Sequence, residues 1–148
     1  MATTLQNIDG LQQAPLWISN GLNKEAINYS ELLGKELTAP TMKDRAGRET
    51  LNKSEALTTS QIRNIYGDVQ RMKMKGFDES SLLLLKPRLA YSTERKGTQG
   101  SKDFRKVIEK ALDAVLNGKS IDEKKSRFEN FANFFEAILA YHRSFGGK

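Results

Sequence analysis

The side chains able to carry out chemistry are few, and their types narrow the choice. Nucleophilic catalysis needs an activated Ser, Thr, Lys or Cys with a base in hydrogen-bond reach. The 148 residues contain no cysteine and one imidazole, His142. His142 falls near the end of an aromatic-rich segment, where partial burial or an interaction with a helix end accounts for it. The carboxylates form no clustered ligand motif, and pairs such as Glu109 with Asp113 read as a solvated helix face. Glycines stand at segment ends and in loops, in neither a GxxxxGK[ST] nor a GxGxxG pattern. No catalytic residue, metal, cofactor or small-molecule substrate is therefore expected.

The basic residues support a more positive reading. The formal charge is +6 and the pI about 9.5. Residues 1–57 hold six Lys and Arg against seven Asp and Glu, whereas residues 58–148 hold eighteen against eleven. Lys and Arg neutralise phosphates, and an exposed aromatic ring can stack with bases. Arg63 and Arg71 on one predicted helix, with Arg88, Tyr91 and Arg95 on the next, can line a groove. The competing reading makes them solubilising charges around an ordinary core tyrosine.

The elements that must hold these residues are helices. Thr58 and Gln61 have the spacing of a capping box, and Ile62, Ile65, Tyr66, Val69 and Met72 follow at helical spacing to a stop at Gly76. Asp78 or Ser80 caps the next element, in which Pro87 predicts a kink or a new helix beginning near Lys86. Beyond it Arg88, Tyr91 and Arg95 share one face. A helix from about Lys102 to Leu116 carries Phe104, Val107, Ile108, Ala111, Leu112 and Val115. Ser120 and Glu123 open a long helix rich in phenylalanine, whose apolar arc is wide enough for part of it to face another subunit. Upstream, Leu22 to Leu37 has a weaker helical pattern interrupted by Gly34. Ala39 to Glu55 reads as a loop or mobile linker.

These features predict an all-α compact bundle of about five helices. The expected division is a variable N-terminal segment, 1–56, with a possible helix and a flexible linker, followed by a helical domain, 57–148. No segment has the alternation of a strand, and no run of ~18 apolar residues predicts a membrane span. The first residues lack a secretory pattern, so a cytoplasmic location is expected.

Three segments, LTTSQIR (57–63), LKPRLAY (85–91) and AYHRSFGG (140–147), resemble in order and spacing the small-subunit family of the type III-A CRISPR effector, the Csm complex. The resemblance covers roughly residues 57–148. It implies a non-catalytic helical subunit that packs in several copies along the backbone subunits, has the large subunit among its partners, and contacts guide and target RNA in antiviral defence. Within the matching segments it carries an RNA-contact role onto Arg63, Lys86 and Arg88, with Tyr91 beside them, and onto Arg143. Arg71, Arg95 and Lys96 are candidates from charge and spacing alone. The preference for RNA over DNA comes from the resemblance. Alternatives are a helical nucleic-acid-binding or adaptor protein outside CRISPR, or the small subunit of a related type III complex.

Overall fold

The computed structural model describes residues 10–95 and 97–147. Among them are six α-helices: α1 (Gly10–Asn20), α2 (Lys24–Thr38), α3 (Thr59–Lys75), α4 (Glu79–Glu94), α5 (Gln99–Leu116) and α6 (Ile121–Ser144). The long helix α6 is the spine against which α1, α2, α3 and α5 pack, and α4 closes the bundle against α3 and α5. Phe104, Phe131, Phe134 and Phe135 are fully buried at its centre. The all-α fold follows from these helical stripes, each of which must bury one face against another.

The helix starts have local causes. Thr58 accepts from the Gln61 amide while the Gln61 side chain takes the Thr58 amide at 3.0 Å, completing the capping box at α3. At α6 only half of the expected box forms: Ser120 accepts from the Glu123 amide, whereas the Glu123 carboxylate receives Arg127 at 2.7 Å. A guanidinium one turn away is the stronger, charge-assisted partner.

Helix α4 does not restart at Lys86, one of the two outcomes expected of Pro87. It runs unbroken from Glu79 to Glu94 with Pro87 inside it. Pro87 lies on the exposed side, where water can replace the backbone bond it removes. Buried Leu82, Leu85 and Leu89 hold both sides of the proline in one helix.

The segment expected to be a loop or mobile linker carries short elements of secondary structure. Strands β1 (Thr41–Lys43) and β2 (Glu49–Leu51) form a short antiparallel hairpin, with a 3-10 turn at Lys53–Glu55. The turn is made locally: Asp44 Oδ1 accepts from the amides of Ala46 and Arg48, both at 2.9 Å, and Gly47 adopts φ +81°. Glu36 on α2 anchors the hairpin by accepting from the Thr41 amide at 2.6 Å and its hydroxyl at 3.1 Å. At the far end Glu55 accepts from the Gln99 amide at 2.9 Å, satisfying a free donor at the start of α5.

Packing crosses Leu57, where the sequence changes character. Trp17 and Ile18 of α1 and Leu33 and Leu37 of α2 are buried in the same core as the later helices. Trp17 and Tyr29 lie 5.8 and 6.4 Å from the Phe134 ring. That side of the aromatic arc, which was open to a role at a subunit interface, is thus covered within the chain.

Candidate nucleic-acid interface

Helices α3 and α4 enclose a groove of about 640 Å³ whose position is set by one buried amide. Gln61 donates to the Ser92 carbonyl at 3.3 Å and to the Ser101 hydroxyl at 2.9 Å, and Ser92 returns a bond to the Gln61 carbonyl at 3.0 Å. This network ties α3 to α4 and α5. Above it the groove has Ile65 and Pro87 as apolar surface, Ser60, Asn64 and Asp68 from α3, and Arg88, Tyr91 and Arg95 from α4. Tyr91 is 69% exposed, and the Arg95 guanidinium carbon stands 5.8 Å from its ring centroid. An exposed ring beside one guanidinium, with a second lining the same groove, is suited to stacking with a base while the cations meet phosphate.

Arg88 also forms an ion pair with Asp68 Oδ1, its Nη1 at 3.1 Å, and Arg71 donates to the same oxygen. Asp68 and Arg88 line a second, smaller depression that continues past Arg71 and Lys75 toward Gly76. Arg71, Arg88, Tyr91 and Arg95 thus form a continuous path along the α3–α4 face.

The other candidates lie elsewhere. Arg63 is exposed on a part of α3 that does not line either depression. Lys86 points toward α5, where its ammonium pairs with Asp113 at 2.6 Å. Arg143 is exposed near the end of α6 and lines neither depression. Lys96 is outside the described residues.

Sequence reasoning missed Asn64 and Asp68. Their signal is the polar series Ser60, Asn64 and Asp68, spaced four apart and therefore on one side of α3.

His142 is fully buried, and its Nε2 lies 2.8 Å from the Leu57 carbonyl. The carbonyl can only accept, so Nε2 carries the proton. Burial holds the imidazole below its ordinary pKa, partly opposed by this bond, while the Arg143 charge lowers it further. Thr59 donates to the Gly147 carbonyl at 3.3 Å, so the AYHRSFGG and LTTSQIR segments meet in space. Among the described residues no group of three or more His, Cys, Asp or Glu is placed to hold a metal, and no helix is long and apolar enough to cross a membrane.

The family model described as Csm2 Type III-A matches residues 25–148, which takes in α2 and the hairpin as well as α3 to α6. No curated protein and no solved structure matches the chain. With five of the six helices of the described residues and the segments LTTSQIR, LKPRLAY and AYHRSFGG in the matching region, the chain belongs to the Csm2 family, small structural subunits that assemble with other subunits in the type III-A CRISPR effector, the Csm complex.

Proposed function

We propose that this subunit gives the effector a sequence-independent hold on single-stranded target RNA through the α3–α4 groove, with no catalytic step of its own. The observation that carries the reading is the exposed Tyr91 ring with the Arg95 guanidinium beside it and Arg88 lining the same groove over an apolar floor. Phosphates meet the guanidiniums and a base meets the ring, so affinity depends on backbone and stacking more than on base identity. The sole imidazole is committed to the fold through Leu57, which favours a bracing role over a reactive one. Guide RNA, the backbone and large subunits and further copies of this chain are the partners of that assembly, in the cytoplasm. Membership of the family sets aside an adaptor outside CRISPR.

The test is an R88A/Y91A/R95A variant, measured as the full-length chain and in the reconstituted complex at several salt concentrations. Assembly is expected to persist while target-RNA affinity falls. The salt slope is expected to decrease by about 0.7 for each phosphate of a single strand that the variant no longer neutralises. Normal assembly with unchanged affinity and slope overturns the RNA site and leaves the structural role standing.

A further inference from the structure

A groove that binds phosphate gains nothing from a carboxylate unless the carboxylate acts on the cations, and Asp68 is the only acidic residue among the described residues that line the main groove. Its side chain is 12% exposed, while those of Arg71 and Arg88 are 62% and 57% exposed. The anion therefore lies beneath two guanidiniums that reach it from different helices and share its Oδ1. A guanidinium has five N–H donors, and pairing with Oδ1 leaves most of them on each arginine for a ligand. Two like-charged side chains would otherwise spread apart and sample many rotamers before a ligand ordered them.

We propose that Asp68 is a positioning residue that presents Arg71 and Arg88 as a pair for one phosphate of the strand, at the junction of the two depressions. The inference rests on the RNA reading of the groove. The base on Tyr91 and the phosphate on this pair then fix the direction in which the strand leaves the groove, toward the α3–α4 turn at Gly76.

The experiment separates positioning from bulk electrostatics, which act with opposite signs. Removing Asp68 raises the net charge by one, so electrostatics alone predicts tighter RNA binding. Positioning predicts weaker binding, by about 3- to 10-fold, because the guanidiniums lose their preset geometry. Full-length D68A, and the isosteric D68N as a milder replacement, are titrated with a labelled single-stranded oligouridine RNA. The same substitutions are repeated in an R71A/R88A background. Weaker binding in the native background, with no effect in the double-arginine background, supports the pair. Tighter binding, or an equal loss in both backgrounds, overturns it. If D68A binds more tightly while R88A/Y91A/R95A still loses RNA, the positioning role fails and the groove reading stands. If the triple variant binds normally, the groove reading itself fails.

Discussion

Asp103 holds a carboxyl where water scarcely reaches it. The residue is 2% exposed; Oδ1 accepts from Gln99 at 3.0 Å, and Oδ2 has no partner among the described residues. Burial pushes its pKa up to about 6, with the nearby Glu36 carboxylate adding to the effect and Gln99 and Lys106 opposing it. The Tyr29 hydroxyl is likewise buried and unpartnered among the described residues, and both its burial and the Asp103 charge raise its pKa. An acid that holds its proton more tightly when folded makes the fold more stable as pH falls from about 6 toward the ordinary carboxylate value. Above pH 6 it imposes a penalty of up to about 3 kcal/mol. His142 acts in the opposite sense: its pKa is depressed by burial, so stability is lost as pH falls below about 6.5. The two titrations partly cancel in the parent protein. D103N, which keeps the acceptor for Gln99, is expected to be more stable at about pH 7.5, and to lose more stability than the parent on acidification to about pH 5. Denaturant unfolding across that range checks both statements, and parallel pH profiles for the two proteins contradict them.

At the scale of elements, two helical glycines show why the same substitution has opposite expected effects. A Cβ on Gly34 would stand 2.6 Å from the Tyr141 Cβ and 2.8 Å from the His142 backbone nitrogen, because α2 crosses α6 there at closest approach. Alanine improves helix propensity by about 1 kcal/mol, but overpacking against a backbone that cannot rotate away costs about 1–3 kcal/mol. G34A is therefore expected to lower the melting temperature. On α3 a Cβ at Gly67 would meet only the end of the Arg71 side chain, at 3.7 Å. G67A is expected to stabilise by about 0.5–1 kcal/mol. Thermal melts of the two variants give shifts of opposite sign, and shifts of the same sign mean that helix propensity or packing has been misjudged.

The same glycine explains part of what the sequence could and could not disclose. Gly34 weakens the helical pattern of residues 22–37 when the crossing helix is unknown, although Leu33 and Leu37 are fully buried. Helix α1 carries little signal in the sequence, because only Ala14, Trp17 and Ile18 mark its buried side and Pro15 interrupts them. The hairpin has no apolar alternation to read, since β2 is exposed throughout and its pairing comes from the Asp44 turn. By contrast, the start of α3 and the buried stripes of α3, α5 and α6 rest on patterns within one helix, which spacing alone records. The candidate site divides in the same way. Arg88, Tyr91 and Arg95 share a face through their spacing on α4, but the placement of Asp68 beneath Arg71 and Arg88, with Arg63 turned elsewhere, depends on how two helices meet.

For the whole molecule, the question is whether residues 57–148 fold without what precedes them. They contain α3 to α6 and the entire groove, and the positive charge is concentrated there. Their core is nevertheless closed by the first two helices: Trp17 and Tyr29 pack on Phe134, Asn130 donates to the Ile18 carbonyl at 2.9 Å, and Gly34 seats α2 on Tyr141 and His142. Trp17, Ile18, Tyr29, Leu33 and Leu37 each bury a large side chain. Burial of such a side chain contributes about 1.5–3 kcal/mol, so together these residues supply on the order of 10 kcal/mol, as much as the entire net stability of a typical domain. A fragment beginning at Leu57 is expected to keep much of its helical circular dichroism, bind a hydrophobic dye and melt without a cooperative transition, the behaviour of a collapsed chain without fixed packing. The full chain is expected to melt cooperatively and exclude the dye. If the fragment instead melts cooperatively near the full chain's transition, α1 and α2 are accessories to an independent domain, and their burial against α6 contributes far less than its area implies.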